Sequence, residues 1–502
     1  MNKKTLSFWG KLSYGLCLMG GNFVYMITSS FIQTYYNIYL GVDPAFIGAI
    51  LMIARVFDAV NDPLTGVIVQ KVRFKSGKYR PWLISGSLIN GLILVALFAV
   101  PQGLQDSNTG RMVWFAASYL LWSITYDLFD IPIWSVIPAV TSDGKEREAL
   151  SSLGRTFAGI GCGIVSSLGL TLSAILGGGE SYAQRVEGFK WLAVGIFVYY
   201  VVFSLIFSRT LKGKDTREES EEASVSVGQM LKALATNSQA IVVAASIVIT
   251  NLAIYFSTQF IQYYLIFDVG GDYDGNYGLI TMVLFAAQVL AMALIYPIFK
   301  RFIRRKPLFI GSLLLAVVGY VILLAMTLMG VKDIMLLLIP CVFIGIVTGL
   351  INVMTTVFLA DSIDYGEYRN GHREESVICS MQTFVVKLAS GVTAGVGGVV
   401  LKLIGLDTSE GAVNSEESLL AMRVSMSGVP IILLVIGIIV FASAFFLNEK
   451  KMREITETLA GRRAAVEAPA EAVEVVEAVE AVEATDAVDA IEAIDAVENT
   501  AE

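Results

Sequence analysis

Between Pro44 and Gln70 the chain reads PAFIGAILMIARVFDAVNDPLTGVIVQ, an apolar run long enough to cross a bilayer that still carries Arg55, Asp58 and Asp62. Each ionisable side chain at the centre of a membrane helix costs roughly 2.5–3.5 kcal/mol on insertion scales. The three residues follow the i, i+3, i+7 spacing, so they project from one helical face. That face must look into protein or a water-filled cavity, and its charges need partners. A fold that cannot supply such an interior is excluded.

The rest of the chain supplies the membrane context. Of its 502 residues 55% are hydrophobic, and the mean hydropathy is +0.68, well outside the range of ordinary soluble domains. Runs such as 81–100, 307–329 and 428–447 approach or exceed the ~20 apolar residues that span about 30 Å of hydrocarbon. The pattern predicts an all-α integral membrane protein with twelve spans, near 12–40, 45–70, 81–101, 112–139, 151–177, 189–208, 239–267, 277–299, 307–329, 333–359, 377–404 and 424–447. The first span follows MNKK and is too long for a signal h-region, so it reads as a retained helix.

Lys and Arg alternate between connections. Residues 71–80 hold Lys71, Arg73, Lys75, Lys78 and Arg80, and 300–306 hold Lys300, Arg301, Arg304, Arg305 and Lys306. The connections at 41–44, 268–276 and 408–422 hold none. By the positive-inside rule both termini are expected in the cytoplasm. The net charge of −8 hides a division: from Ala464 onward there are twelve acids and no Lys or Arg, so the remainder carries +4. The four cysteines fall inside expected spans and read as packing residues rather than a disulfide set.

Four segments are expected: a six-helix bundle over 1–209, a polar cytoplasmic loop over 210–238, a second six-helix bundle over 239–447, and an acidic tail over 448–502. The tail places an acid every third residue from Glu471 to Glu498. That period holds no face of a 3.6-residue helix, and disorder is expected. The bundles look related. At an offset of 229, Asn22, Phe31, Ile32, Gln33 and Tyr35 match Asn251, Phe260, Ile261, Gln262 and Tyr264, and EREALSS at 146–152 resembles REESVICS at 373–380. Chance similarity of aromatic-rich helices is the alternative to a parallel repeat.

The intramembrane polar set extends past the second span. Asp127 and Asp130 stand i, i+3 in the fourth, and Arg155 and Lys387 lie in the fifth and eleventh. Oxygen ligands from Asp58, Asn61 and Asp62 suit a hard cation such as Na⁺. A carboxylate crowded by its neighbours is a proton carrier instead. The structural alternative is an ion-pair network that only fixes helix packing. Trp134, four residues after Asp130, offers a ring for the C–H face of a sugar, or else a lipid-interface anchor. His372, the only histidine, falls in a connection, and no GxxxxGK[ST] run is present to couple ATP.

The runs RVFDAVNDPLTG, GKYRPW, DIPIWSVIP with KERE, ADSIDYGEYRNGHREES and MQTFVVK together resemble the glycoside–pentoside–hexuronide:cation symporters. The resemblance covers about 13–406. It implies the major facilitator fold, with two pseudo-symmetric six-helix bundles, and uptake of a sugar with Na⁺ or H⁺ across the cell's inner (cytoplasmic) membrane. It implies a cation site at Asp58, Asn61, Asp62 and Asp127, with Na⁺ at Asp58 and Asp62. Asp127 stands where the family's best-known relative has Thr, a departure that favours H⁺ or a pairing with Lys387. Sugar contacts are implied at Asn22, Tyr126, Asp130, Trp134 and Arg155, with Gln382, Thr383 and Lys387 across the cavity. Asn22 replaces an Asp of that relative. A gating set is expected at Arg55, Asp361, Asp364, Glu367 and Arg373. The expected partners are a sugar, a monovalent cation and the lipid bilayer, with no cofactor, no nucleic acid and a monomeric state. Two alternatives compete: a lysolipid or other amphiphile symporter, and a non-transporting sugar sensor. Nothing in the sequence resembles an enzyme's nucleophile–base pair.

Overall fold

The computed structural model describes residues 6–72, 74, 76–141, 144–213, 236–371 and 375–462. Most of the central loop, the tail beyond 462, His372 and Arg373 lie outside the described residues.

The long helices are α1 (Phe8–Gln33), α2 (Pro44–Lys71), α3 (Arg80–Leu97), α4 (Asn108–Val140), α5 (Gly144–Gly177) and α6 (Tyr182–Thr210). They are followed by α7 (Ser238–Tyr264), α8 (Tyr273–Leu290), α9 (Arg305–Leu328), α10 (Ile334–Asn370), α11 (Glu375–Ile404) and α12 (Glu416–Ala444). Among the described residues, eleven helical segments are long and apolar enough to cross a membrane. The charged α2, 28 residues long, is the remaining long helix. Side chains such as Val113, Leu121, Leu314, Val318, Ile432 and Ile439 are exposed, as expected where the neighbour is hydrocarbon rather than water.

Local signals set the helix starts. Asp43 caps α2 by accepting from the Ala45 and Phe46 amides, with Pro44 at the first helical position. Ser181 and Gln184 form a reciprocal capping box at α6. The end of α10 departs from the expected boundary near 359. The helix continues to Asn370 and stops where Gly371 adopts φ +81°, a left-handed cap that glycine supplies without strain. Asp361, Asp364 and Glu367 therefore sit on the last helical turns rather than in a loop.

The packing has a hidden regularity. In the first six helices α1 packs on α5 and α6, α3 on α4 and α6, and α2 on α4. Adding six to each label gives α7 on α11 and α12, α9 on α10 and α12, and α8 on α10, all of which occur. The two sets meet along α2–α11 and α5–α8, which the same rule exchanges. Small residues allow these approaches. Gly48 faces the Ala394 carbonyl, Gly398 the Pro44 carbonyl, and Gly278 the Ser167 carbonyl.

Irregularity repeats as well. α1 ends in a π-helical turn over Thr34–Tyr39 and α7 in another over Leu265–Val269, which overlap at the offset of 229. π turns concentrate at functional positions.

Candidate functional site

A cavity of about 400 Å³ lies between the two sets of helices. Tyr25, Ser29, Ser30, Gln33 and Thr34 of the α1 stretch face Tyr255, Thr258, Gln259 and Gln262 of α7 across it. Arg55 of α2, Tyr119 of α4, and Lys387, Ser390 and Thr393 of α11 complete the lining, with Arg55 lying directly against Gly391 of α11. The lining combines tyrosine rings, amides and hydroxyls with Arg55, Lys387 and the apolar side chains of Met26, Ile32, Leu51 and Val386, a mixture that offers both hydrogen-bonding groups and apolar faces for the C–H surfaces of a polyol.

Beside the cavity the carboxylates of α2 and α4 fall into two groups. Asp58 accepts from Arg55 Nη1 (3.1 Å) and from the Ser123 hydroxyl (2.6 Å), and is buried. Asp127, also buried, accepts from Asn61 Nδ2 at 2.5 Å and lies against Asp62. Asp62 Oδ2 accepts from Lys387 Nζ, so this ion pair joins α2 to α11. Asp62 Oδ1 is buried without a hydrogen-bond partner. A buried acceptor left unpaired costs about 1–3 kcal/mol, and a proton or a coordinated cation would satisfy it. Among the described residues no three His, Cys, Asp or Glu side chains converge as a metal cluster. Four carboxylates (Asp58, Asp62, Asp127, Asp130) stand against three bases (Arg55, Arg155, Lys387), leaving one negative charge when all are ionised.

The residues implied as sugar contacts divide. Lys387 lines the cavity. Tyr126 stacks near Tyr25 and Trp122, with ring centroids at 5.8 and 5.6 Å. Asp130 lies against Tyr126 and Trp134, and the Arg155 guanidinium sits 6.0 Å over the Trp134 ring. These four form one cluster next to the cavity rather than in its wall. Asn22 turns back to the Leu18 carbonyl (2.9 Å) and accepts from the Cys162 thiol. Gln382 is half-buried and Thr383 exposed, about one turn before Lys387; neither lines the cavity.

The gating set is dispersed. Arg55 lines the cavity and pairs with Asp58. Asp361 pairs with Arg305 at 3.1 Å, linking α10 to α9. Asp364 and Glu367 share the end of α10, and Arg373 lies outside the described residues.

The end of the bundle away from the Lys/Arg-rich connections is sealed by contacts that sequence reasoning did not assign. Gln259 Nε2 donates to Gln33 Oε1 (2.6 Å), Gln262 Nε2 to the Ser30 carbonyl (2.9 Å), and the Thr34 hydroxyl to Gln262 Oε1. Ser30 and Gln33 correspond to Gln259 and Gln262 at the offset of 229. The roof is thus an isologous contact, residue i on j′ and j on i′. Above it the Tyr263 hydroxyl donates to Asn37 Oδ1 (2.9 Å). Arg185 of α6 is fully buried and pairs with Asp274 of α8. Its guanidinium also donates to the Leu170 carbonyl (2.8 Å) and lies 5.2 Å over Tyr273. Lys402 bonds Asp43 at 2.6 Å, tying α11 to the start of α2. The repeat was the signal that pointed to Gln262; Arg185 and Asp274 had none, being 89 residues apart.

Comparison with known proteins agrees with this architecture. Residues 13–449 match the family model described as MFS/sugar transport protein. The isoprimeverose transporter of Lactiplantibacillus pentosus is 26% identical over 480 residues, covering 94% of this chain and 95% of the relative. The raffinose carrier protein of Pediococcus pentosaceus is 25% identical over 467 residues, covering 90% and 71%. Among solved structures, an inward-facing, unoccupied bacterial homolog of the human lysosomal transporter Spinster superposes with a TM-score of 0.66 at 12% identity, covering 87% of this chain and 96% of that one. A bacterial homologue of the drug peptide transporters PepT1 and PepT2 gives 0.60 at 13%, covering 89% and 99%. Those two likenesses are of fold. The family match and the sequence relatives agree with the resemblance read from the motifs: the chain belongs to the MFS/sugar transport protein family, and it is a transporter rather than an enzyme.

Proposed function

We propose that the chain is a secondary active symporter that moves a glycoside, pentoside or hexuronide together with one monovalent cation, Na⁺ or H⁺. Twelve spans form two six-helix halves, 1–209 and 239–447, with both termini in the cytoplasm of a cell whose inner membrane it crosses. The halves rock about the cavity in alternating access.

The observation that carries this reading is the Lys387–Asp62 bond beside a cavity lined with amides and hydroxyls. In this arrangement the Lys387 ammonium neutralises Asp62. A cation that binds at Asp62, Asn61 and Asp127, or a proton taken by either acid, competes with that ammonium. Lys387 is then released toward the cavity, where its three donors reach sugar hydroxyls. The single surplus negative charge of the set matches one cation per cycle. Asp58, held by Arg55 and Ser123, keeps α2 and α4 in register. Trp134 and Arg155 form a platform for a ring's C–H face, with Tyr126 and Asp130 beside it for hydroxyls. The relatives named for isoprimeverose and raffinose support a carbohydrate as cargo.

The test is uptake by the purified full chain in proteoliposomes, with isoprimeverose, raffinose and lactose under an imposed Na⁺ or H⁺ gradient. Accumulation of one sugar under one gradient, collapsing when that gradient is dissipated, is the expected result. Equilibration without accumulation under both gradients would refute symport.

A further inference from the structure

Along the cavity-facing side of α11, Lys387, Ser390, Thr393 and Gly397 follow helical spacing of three, three and four, so they form one stripe. The stripe begins at the Lys387–Asp62 bond and ends at the roof, where the Gln259 side-chain amide lies directly on Gly397; a Cβ there would collide with it. Three polar atoms at or facing this stripe are unpaired: Thr393 Oγ1, Gln259 Oε1 and Gln33 Nε2. Thr393 is 4% exposed, and its hydroxyl makes no hydrogen bond. This is unusual for a helical threonine, which can bond back to the carbonyl of the preceding turn. Thr258, Thr348 and Thr355 of this chain all do so. Gln259 Nε2 is occupied by Gln33 Oε1, while Gln259 Oε1 and the facing Gln33 Nε2 are both buried with no partner, so this amide pair makes one of the two hydrogen bonds it could make. Both residues line the cavity.

We propose that Thr393 and Gln259 form a hydroxyl-reading subsite of the carried sugar, on α11 and α7, separate from the Tyr126–Asp130–Trp134–Arg155 cluster. The inference rests on the sugar-transport reading of the cavity. A sugar hydroxyl is both donor and acceptor, so one hydroxyl accepts from or donates to Thr393 Oγ1 and another donates to Gln259 Oε1. Each contact satisfies a buried group that has no protein partner, which is the situation in which a site discriminates most strongly against an analogue lacking the hydroxyl. Because Gln259 also bonds Gln33 across the roof, the subsite touches substrate with the residues that close the cavity. Gly397 is the space that holds the amide in place.

The experiment uses the full chain in proteoliposomes with isoprimeverose, raffinose and lactose, and the monodeoxy analogues of whichever accumulates. Thr393→Val is expected to weaken the KM for the parent sugar roughly 3- to 10-fold, with no change for one particular deoxy analogue. Gln259→Met is expected to do the same for a different analogue. Thr393→Ser, which keeps the hydroxyl, is expected to retain the parent KM. An unchanged parent KM in Thr393→Val, or a loss spread evenly over every analogue, would overturn the subsite while leaving sugar transport intact. Wild-type protein that neither binds nor accumulates any of the three sugars would overturn both readings.

Discussion

Arg185 offers a quantitative test of the sealed end. Its side chain is fully buried, and its partner Asp274 is 8% exposed. The pair spans α6 and α8, one from each six-helix set, so on the proposed alternating-access cycle it would part when that end opens. Replacing Arg185 by Leu leaves the Asp274 carboxylate buried and unpaired in the closed form, a loss of about 3–5 kcal/mol for such a pair. Asp274 lies in the first turn of α8, and the helix N-terminus returns up to about 1 kcal/mol to a carboxylate there. The closed form should therefore lose about 2–4 kcal/mol relative to the open one, a shift of roughly 30- to 700-fold. The reporter is Ser29→Cys, on an exposed serine of the cavity wall. In right-side-out vesicles a membrane-impermeant maleimide reaches this position through the roof. Its labelling rate should rise by that factor in Arg185→Leu. The double variant Arg185→Leu, Asp274→Leu should label close to the parent rate, because an apolar pair replaces an ion pair at little cost. Unchanged labelling in the single variant, or equal acceleration in single and double, would refute the latch.

Asp62→Asn removes the charge that holds Lys387 and should abolish gradient-driven accumulation while sugar exchange across the vesicle membrane persists; retained accumulation would argue against Asp62 as a coupling group. Asp58→Cys should likewise abolish concentrative uptake, measured in the same vesicles. Gly48→Ala sets a Cβ on the Ala394 carbonyl oxygen, whereas a Cβ on Gly66 meets nothing, so thermal unfolding of the purified protein should fall by several degrees for the first and stay unchanged for the second. At Asp43, burial raises the carboxyl pKa, but Lys402 and the Phe46 and Ala45 amides outweigh it and hold the group below its usual value. A depressed folded pKa means the stabilisation is present above the unfolded value of about 3.9 and is lost as pH falls through the folded value. The melting-temperature difference between wild type and Asp43→Asn should therefore be constant at neutral pH, begin to shrink at about pH 4 and vanish only once the pH is below the depressed folded value.

Charge-free runs gave the helices away because a bilayer admits few alternatives. The caps that fix the starts of α2 and α6 are legible only in the structure. The acids of α2 and α4 announced an interior site before any contact was visible, and the bonds among Asp62, Lys387, Asp127 and Asn61 are the partners they required. The repeat was legible through Gln33 and Gln262, though not its meaning as a roof, since an offset along the chain carries no information about which faces meet. At the same offset Asp58, Asn61 and Asp62 correspond to Ala287, Leu290 and Ala291, so the second half keeps the frame and not the charges. The far end of α10 differs from the expectation because Asp361, Asp364 and Glu367 read as a polar loop, whereas they continue the helix, with Asp361 buried against Arg305 and the other two half-buried. Ion pairs such as Arg185–Asp274 and Arg423–Asp268 join residues 89 and 155 apart and follow only from the assembled packing.

The roof is built from amides and hydroxyls, and this bears on the thermodynamics of opening. Separating Gln33 from Gln259, and Thr34 from Gln262, exchanges protein hydrogen bonds for bonds to water, at a net of only about 0.5–1.5 kcal/mol each. The exchange of these polar bonds by itself adds little to the heat capacity of opening; the term that does comes from the buried aromatic contact beside them, Phe31 on Tyr277 with ring centroids 6.0 Å apart. A plug of Leu and Phe would instead tighten on warming from the cold and loosen unevenly across the growth range. On the proposed alternating-access cycle, the polar part of the closure would therefore change little with temperature, and the buried aromatic contact and the Arg185–Asp274 pair would set how the balance shifts.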